Sequence, residues 1–141
     1  MRNFGACEEI KENTQIVIKD QKSKNNRSKF RIHNSRKTKV RVIQVDDCVI
    51  TKGKRCDYLV ILSDNQELYI ELKGAKVSYA VEQIFASIPQ LTADKSKLKL
   101  GFVSSTRCPI NSTETQKLKK IAKKQHNLQL LIKNGEIVHK V

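Results

Sequence analysis

Two apolar runs lie close together in mid-chain, separated by a short polar gap. Tyr58-Leu59-Val60-Ile61-Leu62 comes first, then Ser63-Asp64-Asn65-Gln66, then Glu67-Leu68-Tyr69-Ile70-Glu71-Leu72. Strand-length runs joined by an Asp/Asn turn predict a β-hairpin. The second run is apolar enough for the centre of a sheet, with both faces covered. Beyond Lys73-Gly74, residues Val77, Val81, Ile84, Ile88 and Leu91 recur at spacings of four, three, four and three, which is one helix face. Pro89 should kink or end that helix. Leu98–Ser104 reads as a strand, parallel to a neighbour because a helix precedes it.

The flanks are less regular. Thr113-Glu114-Thr115-Gln116 matches a capping box and opens a second helix through Leu118, Ile121 and Ala122, whose lysines read as a solvated face. Leu128–Ile132, Asn134-Gly135 and Glu136–Val141 predict a terminal hairpin with a type I′ turn. Residues 4–12 are expected to start a short helix, and Gln15–Lys19 and Lys39–Val45 to be strands. Between them, the stretch around residues 20–29 is polar and aperiodic and is expected to be a basic mobile loop. The whole is an α/β chain forming a single domain, residues 1–141, with helices packed on a mixed sheet.

Charge narrows the class of partner. Lys and Arg number 28 against 14 Asp and Glu, a formal net charge of +14. Such a surface favours a polyanion, because each cation placed on a phosphate releases condensed counterions. DNA is the expected partner, with RNA left open. Lys29, Arg31, Arg36, Lys37, Lys39, Arg41, Lys54 and Arg55 are the candidate backbone contacts. No run approaches the ~20 apolar residues of a membrane span, and no apolar leader follows Met1, so a cytoplasmic setting is expected. Cys7, Cys48, Cys56 and Cys108 form no closely spaced pair and are expected to be buried free thiols.

The chemistry sits in the hairpin. Folding it back brings Asp57 near Glu71 and Lys73, which share a strand face because they are two apart. Two carboxylates and an ammonium at a sheet corner can hold a divalent cation and a water, as phosphodiester hydrolysis requires. The Leu72 carbonyl is a candidate third oxygen ligand. Register decides whether this works. A four-residue loop would pair Leu62 with Glu67 and turn Asp57 to the wrong face. A three- or five-residue loop, or a bulge, brings Asp57 across from Glu71 or Lys73.

Asp57 followed by Glu71-Leu72-Lys73 at the end of the next strand resembles the PD-(D/E)xK nuclease superfamily, which includes restriction endonucleases and Holliday-junction resolvases. The resemblance covers about residues 40–105. It implies a restriction-endonuclease-like α/β/α sandwich on a central four-stranded mixed sheet, here with the extra C-terminal β-hairpin. It also implies Mg²⁺-dependent (or Mn²⁺-dependent) DNA cleavage. By position, Asp57 and Glu71 would be metal ligands and Lys73 the catalytic lysine. Gln83 would match an active-site glutamine of some members, and Glu9 an early-helix glutamate of others. Cys56 stands where a proline often precedes the first aspartate. A homodimer is plausible by the same analogy. The alternative is a non-catalytic nucleic-acid-binding subunit of the same fold within a larger assembly.

Overall fold

The computed structural model describes residues 3–20, 28–72, 76–105 and 112–141. Its centre is a six-stranded mixed sheet in the order β1-β4-β5-β6-β7-β8. The strands are β1 (Glu8–Lys11), β4 (Val40–Gln44), β5 (Tyr58–Ile61), β6 (Glu67–Leu72), β7 (Lys99–Ser105) and β8 (Leu128–Asn134). Neighbours from β1 to β6 run antiparallel, while β6, β7 and β8 are mutually parallel. The parallel steps are bridged by α1 (Val77–Leu91) and α2 (Ser112–His126). A smaller sheet, β2 (Gln15–Lys19), β3 (Lys29–His33) and β9 (Ile137–Lys140), has the order β2-β3-β9.

Strand alternation sends successive side chains to opposite faces, and each face has its own core. On one, Leu59, Tyr69, Val103 and Leu130 pack with Ala80, Val81, Ile84 and Ile88 of α1 and Ala122 of α2. On the other, Val42, Val60, Leu68, Ile70 and Leu72 pack with Ile16, Ile18, Phe30, Ile32 and Ile137 of the small sheet. With both faces covered, β6 is buried at every position except Glu71, which is half-buried. Among the described residues, no helix is long and apolar enough to cross a membrane.

Several expectations are corrected. The central sheet has six strands, not four, and its second face carries a three-stranded sheet, so the described layers are helix, sheet and sheet rather than α/β/α. The strand β3 was hidden inside the basic segment. Its Lys-Phe-Arg-Ile-His alternation buries Phe30 and Ile32 under the large sheet, with the Phe30 and Phe102 rings 4.8 Å apart. The C-terminal hairpin does not form. After Gly135 (φ 80°) the chain leaves the large sheet, and β9 pairs parallel with β3. Burial of Ile137 in the second core rewards that crossing. The early helix is replaced by a single 3-10 turn, Gly5–Cys7, followed by β1.

Cys7 and Cys48 are joined by a disulfide, with Cα atoms 5.7 Å apart, which overturns the free-thiol expectation for both. Cys56 is a buried free thiol, as expected. The basic loop at 21–27 and Cys108 lie outside the described residues.

Candidate functional site

The hairpin β5–β6 sets the site, and its turn sets the hairpin. Leu62 donates its amide to Gln66 (3.0 Å), and Asn65 donates to Leu62 (2.9 Å), so the loop is Ser63–Asn65, three residues. Asn65 takes φ 67°, a left-handed conformation that Asn tolerates better than most residues. Asp64 Oδ1 accepts the Gln66 amide (3.0 Å), which closes the turn. Tyr58 therefore pairs with Ile70, and Ile61 with Glu67. The same register carried one residue further puts Glu71 across from Asp57. Of the expected alternatives (a three- or five-residue loop, or a bulge), the three-residue loop is the one that forms.

At Asp57 the ladder loosens. Its amide donates to the Ile70 carbonyl (3.1 Å), while its Oδ2 accepts the Leu72 amide (2.7 Å). The Asp57 and Glu71 carboxyl groups meet at this corner and interact directly. Burial pushes Asp57 up to about 6, with the Leu72 amide pulling the other way and the charges of Asp20 and Asp46 adding to the rise. Burial, and then the charge of Asp57, push Glu71 up to about 10. Of the two, Asp57 gives up its proton first, because an amide stabilises its charge. Glu71 Oε1 is buried and finds no hydrogen-bond donor among the described residues. A buried carboxylate oxygen without a donor is costly, and a cation would offset that cost.

This donor set fits a hard divalent cation. Mg²⁺ takes one or two carboxylates and keeps several waters, and the corner supplies two carboxylates. Asp20, at the end of β2, and Asp46 add negative potential. Among the described residues, however, no three Asp, Glu, His or Cys side chains converge as a ligand group. The Leu72 side chain is buried in the second core, and its amide rather than its side chain shapes the corner. Lys73 lies outside the described residues.

The segment entering β5 is held by α1. Gln83 Oε1 accepts the Arg55 amide (3.1 Å), and Ser87 Oγ, one turn on, accepts the Cys56 amide (2.8 Å) while donating to the Gln83 carbonyl (2.9 Å). Gln83 thus braces the backbone two residues before Asp57. A proline at position 56 has no N–H and would forfeit the Ser87 bond. Arg55 itself bridges Asp46 and Asp47, each at 2.7 Å. Asp47 occupies a turn with φ 58°, which accounts for the acidic pair structurally.

Glu9 is not brought to the corner. It stands exposed on the edge strand β1, opposite Val42 and 3.8 Å from Lys11, because these residues form a strand and not the expected helix. Its neighbour Glu8 instead takes the Arg41 guanidinium through two bonds of 2.7 and 2.8 Å, and that partner holds Glu8 below the usual carboxylate range.

The eight basic candidates divide. Arg41 is committed to Glu8, Arg31 to Glu136 (3.1 Å), Lys54 to Glu82 (2.8 Å) and Arg55 to its two aspartates. Arg36, Lys37 and Lys39 are exposed, Lys29 is half-buried on β3, and none of the four forms an ion pair with a described residue. The arrangement missed in the sequence is the Gln83–Ser87 clamp. A polar pair four apart on a buried helix face was its only signal.

No protein-family model, curated protein or solved structure matches the chain. What stands is an α/β protein with two described helices, a mixed six-stranded sheet and a three-stranded sheet, carrying a buried carboxylate pair at one sheet end.

Proposed function

We propose that the chain is a metal-dependent endonuclease acting on DNA, of the PD-(D/E)xK kind, with Asp57 and Glu71 as the cation ligands. The observation that carries this reading is the facing carboxylate pair, one oxygen of which is buried without a donor among the described residues. Pairs like this are unfavourable unless they share a proton or a cation. The Leu72 amide keeps Asp57 ionised and oriented. Glu71 holds a proton in the free protein and would release it on binding a cation. A bound Mg²⁺ would polarise a phosphoryl oxygen and acidify a water for attack. Lys73, two residues past Glu71 in the sequence, is the candidate for steering that water. The +14 charge draws the polyanionic substrate.

The test is cleavage of plasmid and branched DNA with Mg²⁺ or Mn²⁺, comparing wild type with Glu71→Gln and Lys73→Ala. Activity lost in both variants, with duplex binding retained, supports the reading. A wild type as inert as the variants on every substrate and metal ends it. The second reading, a non-catalytic nucleic-acid-binding subunit, draws on the uncompensated surface cations. It expects binding without turnover and no heat on titration with Mg²⁺.

A further inference from the structure

The second helix turns its cations away from the protein. Thr115 and Ala122 are buried, Leu118 packs against the first core, and the His126 ring stacks on Phe85 with centroids 4.5 Å apart. These residues define the inward side of α2. At about 100° per residue, Lys119, Lys123, Lys120, Lys124 and Lys117 fill one arc of about 160°, which Gln116 and, in the first turn, Thr113 share. Glu114 falls outside it. Lys119 is half-buried and the other four lysines are exposed.

None of these five lysines pairs with a carboxylate among the described residues. Among the described residues, their one side-chain partner is Asn127 Oδ1, 3.5 Å from Lys123. Carboxylates elsewhere are assigned to other cations: Glu8 to Arg41, Glu82 to Lys54, Glu136 to Arg31, and Asp46 with Asp47 to Arg55. Other cations without a carboxylate among the described residues, such as Arg36, Lys37 and Lys39, lie elsewhere, but the five on α2 form one contiguous group on a single helix face. Like charges three or four apart on a helix, such as Lys117 with Lys120 and Lys119 with Lys123, each cost about 0.2–0.5 kcal/mol. An ordinary solvated face intersperses both signs and avoids that cost.

We propose that this face of α2 binds the phosphodiester backbone of a nucleic acid, as a second contact surface apart from the Asp57–Glu71 corner. It packs over β8, two strands across the sheet from β6 and so about 10 Å away laterally. Lys117 to Lys124 span about 10 Å along the helix, the length of about three phosphates of one strand. A lipid surface fits poorly, because the apolar side of α2 is already buried in protein and only Ile121 is exposed beside the lysines. An acidic protein fits poorly too, since the arc lacks the Arg and aromatic anchors that such interfaces use. Hydrated ammonium groups suit repeated phosphates.

The experiment compares K117Q/K120Q/K124Q with a control of equal charge change, K11Q/K133Q/K140Q, binding a 25-base-pair duplex in EDTA so that no cleavage enters. The α2 triple should lose about tenfold or more in affinity near 0.1 M salt, and its log K against log salt slope should become shallower by about 2–3. The control slope should move by less than about 1, and Lys→Arg at the three α2 positions should restore affinity. Gln matches Lys closely in helix propensity. If circular dichroism nonetheless shows helix loss, K120Q and K124Q singly should each remove about 0.9 from the slope. Equal losses in both triples, an unchanged α2 triple, or a loss confined to anionic vesicles would each overturn the proposal. Failure of cleavage with this binding intact would count against the nuclease reading alone.

Discussion

The amide of Leu72 donates to the carboxylate of Asp57 at 2.7 Å, so the strand that carries Glu71 also orients the acid facing it. One backbone N–H thereby makes two chemically similar carboxyls unequal. Asp57, with the stronger amide donor, ionises first, while Glu71, raised by burial and by the charge of Asp57, keeps its proton.

That inequality has a pH signature. Both folded-state values lie above the ordinary carboxylate values of about 4, Asp57 at about 6 and Glu71 at about 10. Raised values mean that the folded state binds more protons than the unfolded chain. The resulting stability is complete below about pH 4. It is lost as pH rises through about 6 for Asp57 and on toward about 10 for Glu71. Without metal, Glu71→Gln should therefore be more stable than wild type at pH 8, by about 1–3 kcal/mol, with a flatter dependence on pH. Urea denaturation in EDTA between pH 5 and 9 measures this. Added Mg²⁺ should raise the melting temperature of wild type more at pH 8 than at pH 6, and leave Glu71→Gln nearly unmoved.

The turn should control the corner from a distance. Asn65 at φ 67° shortens the loop to three residues and so sets which face Asp57 occupies. A β-branched residue resists that conformation by about 1–2 kcal/mol. Asn65→Val is expected to lower stability by that amount and weaken Mg²⁺ affinity by calorimetry, whereas Asn65→Gly should preserve both. Equal metal affinity in all three proteins would disconnect turn from site.

Ser87 offers a separate handle. Its Oγ is the acceptor for the buried Cys56 amide, and Ser87→Ala would strand that donor. The expected loss is about 1–3 kcal/mol in chemical denaturation. Because the segment leads into Asp57, metal affinity should also drop, while Ser87→Thr, which keeps a hydroxyl, should retain more of both.

Reduction of Cys7–Cys48 should destabilise the chain. The bridge spans a sequence separation of 41, for which chain entropy predicts about 4 kcal/mol. Melting with and without dithiothreitol, and in a Cys7→Ser/Cys48→Ser double variant, should show the same decrease; an unchanged melting point would mean that packing alone holds β1 to the 45–50 turn.

Periodicity and apolar runs made β4, β5, β6, α1, β7, α2 and β8 legible, since burial against a neighbour demands that pattern whatever the neighbour is. The meeting of Asp57 with Glu71 was legible once the loop could be three residues long. Other features depended on partners distant in the chain. The terminal turn looked like a hairpin because Asn-Gly favours one locally, yet Ile137 gains more by covering the second face beside Phe30. Glu9 looked available for a helix because local propensity permitted one, yet β4 offered an unpaired edge. The ion pairs that occupy Arg41, Arg55, Lys54 and Arg31 came from residues 8–105 positions away. Local order follows from the chain's own alternation of polar and apolar groups. Which cation meets which anion, and which strand closes which sheet, is decided only when the two cores pack, because those choices compare energies between segments that the linear pattern never places side by side.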